Sequence, residues 1–212
     1  MNIGIIDYGV GNLGSVQQAL ETLRTTATLI TRAVDMHTVD ALILPGVGSF
    51  AECAQNLDNG GWTQAIRHEV LERNKPLLGI CLGMQLLASC SMEGATESTG
   101  HGGLDLIPGR VEHLRDLGCT LRVPHVGWND VKITAKNATL FNDIPDGTDF
   151  YFVHSYAFVP ADTTWVQATT SYGIPVTAAV RRGRVWGTQF HPEKSSRAGL
   201  RLLRNFIETY PC

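Results

Sequence analysis

Short apolar runs alternate with helix-like segments through the first half of the chain, and this alternation constrains the fold more than any other feature. The strands are predicted at residues 2–8 (NIGIIDY), 26–31 (TATLIT), 41–45 (ALILP) and 76–80 (PLLGI). Helical apolar spacing occurs in residues 13–24, 62–73 and 83–90. Strands that alternate with helices form a parallel sheet covered on both faces. We therefore expect an α/β three-layer sandwich with a mostly parallel central sheet.

The second half of the chain is richer in strands. Residues 149–159 and 164–172 are rich in strand-forming side chains, and residues 174–190 predict a hairpin that turns at residues 181–183. A polar, glycine-containing loop is predicted at residues 91–103, and a closing helix at residues 197–210. A length of 212 residues fits one domain spanning residues 1–212.

The composition excludes several classes of protein. Apolar residues make up 43% and charged residues 17%, and the net charge of −3 is too small to indicate a nucleic-acid or membrane surface. No apolar run reaches the roughly 20 residues that span a bilayer, and the first nine residues predict a strand rather than a signal peptide. Five irregularly spaced cysteines indicate neither a disulfide framework nor a zinc site, so we expect a reducing, cytoplasmic compartment.

Residues 9–14 (GVGNLG) match the glycine pattern of a dinucleotide-binding turn between a strand and a helix. However, the carboxylate of Asp7 at the end of the strand would repel a pyrophosphate. The acidic residue expected about 20 positions further on is also missing, since Asp35 comes late. A tight strand-to-helix turn is the favoured interpretation, and binding of a nicotinamide cofactor stays an alternative.

Cys81 lies in Gly79-Ile80-Cys81-Leu82-Gly83, where glycines flank it at two positions on either side. This spacing is typical of an elbow that presents a nucleophile on a sharp strand-to-helix turn, because a side chain at either glycine would collide with the neighbouring strand or helix. The start of the helix would favour the thiolate, and the N–H of Leu82 would be free to meet an oxyanion. We predict Cys81 as a nucleophile, against the alternative of a buried structural cysteine. The other cysteines are expected to be structural: Cys53, Cys90, Cys119 and Cys212.

A thiolate nucleophile needs a base that moves its proton. Three of the seven histidines, His125, His154 and His191, end apolar runs. His191 is favoured because Pro192 stops its strand at the sheet edge, where sites form. Glu193 follows two residues later, and side chains at i and i+2 of an extended segment point the same way. Glu193 could therefore orient the imidazole as the acid of a triad does, and the alternative is a histidine satisfied beside a surface turn.

These motifs resemble the class I, or triad, glutamine amidotransferases. Residues 79–87 (GICLGMQLL) and 189–195 (QFHPEKS) place Cys81, His191 and Glu193 at that family's Cys-His-Glu positions. Residues 7–16 (DYGVGNLGSV), 44–50 (LPGVGSF), 124–129 (PHVGWN) and 151–156 (YFVHSY) resemble the branch formed by the glutaminase subunits of imidazole glycerol phosphate synthases. The matches occur in order and cover nearly the whole chain.

The resemblance implies hydrolysis of glutamine through a thioester on the cysteine, with no metal and no organic cofactor. The implied oxyanion hole consists of Gly46, Val47 and Leu82. The implied substrate-binding residues are Gln85, Glu93, Ser155 and Tyr156.

The resemblance also implies a heterodimer with a (β/α)₈-barrel cyclase subunit of imidazole glycerol phosphate synthase. That partner would use the ammonia to make imidazole glycerol phosphate and aminoimidazole carboxamide ribotide in histidine biosynthesis. The implied docking residues are Asn12, Trp128, Tyr151 and Lys194. No nucleic acid or membrane partner is implied.

Val47 lies between Gly46 and Gly48 in the expected oxyanion loop. A β-branched residue resists positive φ, whereas glycine accepts it. We therefore expect the peptide between Gly46 and Val47 to rest with its N–H turned away from the site until partner and nucleotide bind. Three alternatives stay open: a stand-alone cysteine amidase or γ-glutamyl hydrolase of the same fold, an NAD-binding oxidoreductase, and a non-catalytic partner subunit that keeps the motifs.

Overall fold

The computed structural model describes residues 1–95 and 99–209. The strands within these residues are β1 (Asn2–Ile6), β2 (Thr26–Ile30), β3 (Ala41–Gly46), β4 (Leu77–Cys81), β5 (Cys90–Ser91), β6 (His101–Gly102), β7 (Gly109–His113), β8 (His125–Ile133), β9 (Thr148–His154), β10 (Tyr156–Pro160), β11 (Val166–Ser171), β12 (Pro175–Arg182) and β13 (Val185–Thr188). The α-helices are α1 (Leu13–Thr22), α2 (Phe50–Asn59), α3 (Trp62–Arg67), α4 (Leu82–Gln85) and α5 (Ser196–Thr209).

In the described part of the chain, nine strands form the larger sheet in the order β2-β1-β3-β4-β13-β12-β11-β8-β9. Strands β2, β1, β3, β4 and β13 are parallel to one another, and β12, β11, β8 and β9 add antiparallel pairs beyond β13. All residues of β3 and β4 are buried, as expected of strands covered on both faces. The predicted α/β class is confirmed, but the sheet is mixed rather than mostly parallel, since four of its strand pairs are parallel and four are antiparallel.

Helices cover both faces of this sheet, which confirms the three-layer arrangement. Helices α1 and α5 pack on one face through side chains that include Val16, Leu20, Leu202, Leu203 and Phe206. Helices α2 and α3 pack on the other face through Phe50, Leu57, Trp62 and Ile66. These two apolar layers hold the middle strands in place from both sides.

A second sheet of four strands, in the order β10-β7-β5-β6, lies among the described residues. The predicted strand-rich segment at residues 149–159 divides between the two sheets, because β9 belongs to the larger sheet and β10 to the smaller one. Ser155 is the single residue between these two strands. The chain therefore crosses from one sheet to the other at the segment predicted to bind substrate.

The helix predicted at residues 83–90 is shorter than expected, because α4 spans Leu82–Gln85 and Cys90 begins β5. Residues 86–88 are apolar and buried, so they offer no polar face to solvent. Their carbonyl groups accept hydrogen bonds from the following loop instead, for example Leu86 O from Leu104 N at 2.8 Å and Ala88 O from Asp105 N at 3.0 Å. A continuous apolar run therefore leaves the helix after one turn, because the following loop satisfies its carbonyl groups.

Other boundaries also differ from prediction. Helix α2 was not predicted, and the predicted helix at residues 62–73 changes at its middle into a π-helical turn, His68–Glu72. The β12–β13 hairpin turns at Gly183 and Arg184, because Arg182 still pairs with Val185, so only Gly183 of the predicted turn at residues 181–183 lies in it. The φ of 61° at Gly183 suits glycine. Residues 96–98 of the predicted loop at 91–103, Tyr210 of the predicted last helix and Cys212 lie outside the described residues.

Every helix among the described residues is too short or too polar to span a membrane.

Two glycines allow α4 to begin directly behind β4. A Cβ atom at Gly83 would lie 1.8 Å from the carbonyl oxygen of Leu44 on β3, and one at Gly79 would lie 2.5 Å from the carbonyl oxygen of Gly83. Both distances are far inside van der Waals contact, and both meet backbone atoms that cannot turn aside. The collisions expected from the sequence are therefore confirmed, and these contacts fix the position of Cys81 between them.

Substitution Gly83→Ala should destabilise the fold by about 1–3 kcal/mol or more, since an added methyl group must push α4 away from β3. The matched control is Gly14→Ala in α1, where a Cβ atom meets nothing within 4 Å and helix propensity favours alanine. Urea unfolding of both variants measures the difference. Equal unfolding midpoints for Gly83→Ala and wild type would show that the close approach is not present in solution.

Candidate active site

Cys81 is the last residue of β4 and directly precedes α4. Its φ of 56° and ψ of −111° lie in a region that residues other than glycine rarely adopt. Such a conformation costs about 1–3 kcal/mol and persists only where neighbouring structure enforces it. Here β3 and β13 flank β4, with Gly46 paired to Cys81 and Thr188 paired to Ile80. The sheet therefore holds the cysteine on the strained turn that the elbow motif predicts.

The Cys81 side chain faces a cavity of about 350 Å³. The residues that line it are Val47, Gly48, Cys81, Leu82, Gln85, Glu93, Pro124, Val153, His154, Ser155, Tyr156 and His191. The structure thus brings together the predicted nucleophile, the predicted base, two oxyanion residues and all four predicted substrate residues. Their chemical roles stay predictions. Gly46 and Glu193 do not line the cavity: Gly46 pairs with Cys81 in the sheet, and Glu193 contacts His191.

His191 and Glu193 form a buried pair beside the cavity. His191 Nδ1 lies 2.7 Å from Glu193 Oε1, and the two side chains are only 2% and 1% exposed. The local conformation differs from the predicted extended segment, because Pro192–Lys194 form a 3₁₀ turn. The loop is tied to β9, where His191 N donates to Tyr151 O at 2.9 Å and Tyr151 N donates to Ser195 Oγ at 3.0 Å. Backbone contacts therefore fix the imidazole in place.

The charge of His191 is set by its surroundings. Burial disfavours the imidazolium, but hydrogen bonding and charge attraction from Cys81 and Glu193 outweigh burial and raise the pKa of His191 to about 9. Its Nε2 atom is buried and makes no hydrogen bond of ordinary geometry within the described residues. Glu193 holds Nδ1, so Nε2 is the nitrogen left for proton exchange at the Cys81 sulfur.

His125 and His154, the other two candidate bases, contact each other instead of Cys81. His125 Nδ1 lies 2.9 Å from His154 Nε2, and His154 Nδ1 lies 2.8 Å from the carbonyl oxygen of Tyr156. Burial lowers the pKa of His125 to about 4 and that of His154 to about 3. Both rings are therefore neutral near pH 7. Their contacts suit a structural support for the segment that ends at Tyr156.

Two side chains hold the predicted oxyanion loop by donating hydrogen bonds to its backbone carbonyl groups. Tyr8 Oη donates to Pro45 O at 3.1 Å, and Cys53 Sγ donates to Val47 O at 3.4 Å. The positive φ of this loop falls on Gly48, at 91°, and Val47 is not among the residues with positive φ in the described chain. The two anchored carbonyl groups flank the peptide between Gly46 and Val47, whose N–H is the predicted oxyanion donor.

The predicted substrate residues form one wall of the cavity. Gln85 is buried and its Nε2 donates to Tyr156 O at 3.0 Å. Glu93 Oε2 accepts from Phe50 N at 2.7 Å, so this carboxylate also caps the start of α2. Ser155 O accepts from Leu114 N at 2.9 Å, which ties the crossing segment to the smaller sheet.

The predicted docking residues lie outside the cavity lining, along one edge of the molecule. Trp128 is 51% exposed and packs edge-on against Tyr151, with ring centroids 6.1 Å apart. Lys194 is exposed on the 3₁₀ turn, and α1, which starts after Asn12, packs against that turn. Val126 beside Trp128 on β8 is also exposed, so the edge presents an apolar surface with a lysine next to it.

Four residues near Cys81 were not predicted for the site. Gly48, Pro124 and Val153 line the cavity, and Gln189 donates to Cys81 Sγ over 3.8 Å. A sequence signal existed for Gln189, since it precedes His191 by two positions in an extended segment. Pro124 and Val153 lie within the motifs at residues 124–129 and 151–156, but their place at the cavity depends on the pairing of β8 with β9.

The carboxylate of Asp7 binds the first amide of the turn at residues 9–14. Gly9 N donates to Asp7 Oδ1 at 3.1 Å, so an amide that a pyrophosphate would need is already bonded to an anion. Among residues 1–95 and 99–209, no group of three or more His, Cys, Asp or Glu side chains is arranged to hold a metal ion.

Comparison with known proteins matches this chain to one family. The family model described as "Glutamine amidotransferase class-I" matches residues 4–209. "Imidazole glycerol phosphate synthase subunit HisH" of Moorella thermoacetica is 50% identical over 97% of this chain and 94% of its own length. The protein of that name from a Synechococcus strain is 45% identical, over 98% of this chain and 93% of its own.

Solved structures agree on the fold. A crystal structure of a glutamine amidotransferase superposes with a TM-score of 0.73 over 97% of both chains, at 22% identity. That identity bears on the fold alone, whereas the family match and the relatives named above cover nearly the full length. The chain therefore belongs to the class-I glutamine amidotransferase family, in the group of relatives named imidazole glycerol phosphate synthase subunit HisH.

Proposed function

We propose that this chain is the glutaminase subunit of an imidazole glycerol phosphate synthase. It hydrolyses glutamine to glutamate and ammonia, and a (β/α)₈-barrel cyclase subunit receives the ammonia. The observation that carries the proposal is the strained Cys81 at the cavity beside His191, whose far nitrogen is held by Glu193 at 2.7 Å. The relatives named HisH support the choice of pathway, histidine biosynthesis.

The first half-reaction transfers the glutamyl group to Cys81. The thiolate attacks the side-chain amide carbon of glutamine, and the carbonyl oxygen becomes an oxyanion. Backbone N–H groups of Leu82 and of the Gly46–Val47 peptide stabilise that charge, and losing one such donor typically costs about 10²–10³ in rate. The imidazolium of His191 gives its proton to the departing nitrogen, so ammonia leaves and a thioester remains.

The second half-reaction releases glutamate. His191, now neutral, takes a proton from water while the water oxygen attacks the thioester carbon. The tetrahedral intermediate then collapses, the carbon–sulfur bond breaks, and the Cys81 thiolate is restored. Glu193 keeps Nδ1 protonated through both steps, so that Nε2 always faces the reacting atoms.

Glutamine binding uses the wall opposite the oxyanion loop. The carboxylate of Glu93 attracts the α-ammonium group of the substrate, and the segment of Ser155 and Tyr156 offers backbone and side-chain polar groups to the α-carboxylate. The hydrogen bonds of Gln85 and His154 to Tyr156 O hold this segment in place before substrate arrives.

Partner binding uses the edge that carries Trp128, Tyr151 and Lys194, with Asn12 beside it. An exposed aromatic side chain next to smaller apolar groups and a cation is a typical interface anchor. The partner makes imidazole glycerol phosphate and aminoimidazole carboxamide ribotide. Because the reaction needs a free thiolate, the complex operates in a reducing compartment, the cytoplasm.

Glutamate release from glutamine tests the proposal directly. The chain with a barrel partner and its nucleotide ligand should turn over glutamine, and the chain alone should be far slower because the oxyanion donor is not yet in place. Cys81→Ala should abolish release in the complex, whereas Cys90→Ala, at a half-buried cysteine outside the cavity lining, should retain it. Equal turnover without any partner would favour a stand-alone amidase, and turnover by Cys81→Ala would exclude the nucleophile.

Substitution Glu193→Gln should lower the pKa of His191 below its value of about 9, since the imidazolium loses a carboxylate partner. The wild-type imidazolium is present below that pKa and is lost as pH rises through it, so the alkaline limb of kcat/KM should move to lower pH in the variant. The amide can also favour the wrong tautomer and reduce kcat by up to about 10⁴. NMR titration of the His191 ring gives the pKa, with His191→Gln to assign the signal. An unchanged pKa would show that Glu193 does not act through this ring.

Substitution Trp128→Ala should weaken partner binding by about tenfold or more, because a half-exposed aromatic anchor is removed. Leu71→Ala removes a similarly exposed apolar side chain before β4, at the opposite end of the parallel strands, and should leave affinity unchanged. Titration calorimetry with the barrel partner compares the two. Wild-type affinity for Trp128→Ala would remove Trp128 from the interface.

A further inference from the structure

Gln189 lies next to the nucleophile because of strand register. Thr188 pairs with Ile80 across β13 and β4, so the next residue on each chain, Gln189 and Cys81, are also neighbours. Gln189 is fully buried, and its backbone N–H donates to Ala178 O at 2.8 Å. Gln189 and His191 follow the end of β13 at Thr188, and both direct their side chains toward the Cys81 sulfur.

The hydrogen bonds determine which end of the Gln189 carboxamide faces the sulfur. The carbonyl oxygen of Tyr156 can only accept, so the group of Gln85 that lies 3.0 Å from it must be the NH₂ group. The same NH₂ group lies 3.0 Å from one end of the Gln189 carboxamide, which must therefore be the oxygen. The NH₂ group of Gln189 is left to face Cys81 Sγ, at 3.8 Å.

We propose that Gln189 is a further catalytic residue, whose buried N–H donates a hydrogen bond to the Cys81 sulfur and stabilises the thiolate. Gln85 is then a positioning residue, since it reaches the sulfur only by orienting the Gln189 amide. This inference rests on the proposed role of Cys81 as a nucleophile and adds a second donor to the one supplied by His191.

Two contacts of the sulfur favour opposite protonation states. Cys81 Sγ lies 3.7 Å from the carbonyl oxygen of Val153, to which only a protonated thiol can donate. Gln189 Nε2 donates to the sulfur, and this bond strengthens when the sulfur carries a negative charge. Deprotonation therefore ends the contact with Val153 and tightens the contact with Gln189. A distance of 3.8 Å fits the resting thiol, and the bond should shorten in the ion pair with His191.

The test measures alkylation of Cys81 by iodoacetamide as a function of pH, with the modified peptide followed by mass spectrometry. Gln189→Met keeps the side-chain length and removes the donor. Because this variant loses a hydrogen bond to a charged group, the midpoint of its alkylation profile should rise by about one pH unit. Gln189→Asn keeps an amide that is one methylene too short, and should shift the midpoint in the same direction even if the methionine variant folds poorly.

Thr188→Val is the matched control. Thr188 is equally buried on the same strand and its Oγ1 donates to Phe190 O at 3.1 Å, not to the sulfur. The Thr188→Val variant should leave the midpoint of the alkylation profile unchanged, although this substitution also removes a buried hydrogen bond. An unchanged midpoint in both Gln189 variants, or an equal shift in Thr188→Val, would overturn the proposal. Because alkylation needs no substrate, that failure is distinct from a failure of glutaminase activity, which Cys81→Ala reports.

Discussion

The contact between α4 and β3 is the constraint on which the candidate site depends. Gly83 lies so close to Leu44 that only a hydrogen atom fits between its Cα and the opposing carbonyl group. This contact lets the chain turn at Cys81 with a positive φ and present the side chain to the cavity. Loss of this contact would relax the turn and move the Cys81 sulfur away from His191, although Gly79 and Gly83 do not line the cavity.

The sheet order converts distant sequence segments into neighbours. Strand β4 lies between β3 and β13, so Cys81 meets the oxyanion loop that begins at Gly46 on one side and Gln189 with His191 on the other. The opposite wall comes from the point where the chain leaves β9 and enters β10, at Ser155. The proposed nucleophile, oxyanion donor, base and substrate wall therefore lie at or just beyond the ends of four separate strands, β4, β3, β13 and β9.

Much of this arrangement could be predicted from the sequence, and the failures have physical causes. The strands around Cys81 were predicted because apolar runs bounded by glycine carry a strong local signal. The helix at residues 83–90 was predicted too long, since an apolar run does not reveal that the loop at Leu104 binds the carbonyl group of Leu86. The sequence does not predict the proposed role of Gln189, because that role depends on an amide orientation fixed by Tyr156 and Gln85, which are distant in sequence.

The central claim is that the glutamyl group of glutamine passes through the sulfur of Cys81. The most direct measurement is acid quenching of the partner complex during turnover, followed by digestion and mass spectrometry of the cysteine peptides. The account predicts one glutamyl group on the peptide that contains Cys81, and none in Cys81→Ser under the same conditions. Steady release of glutamate with no adduct on Cys81, or with the adduct on Cys53, would contradict it.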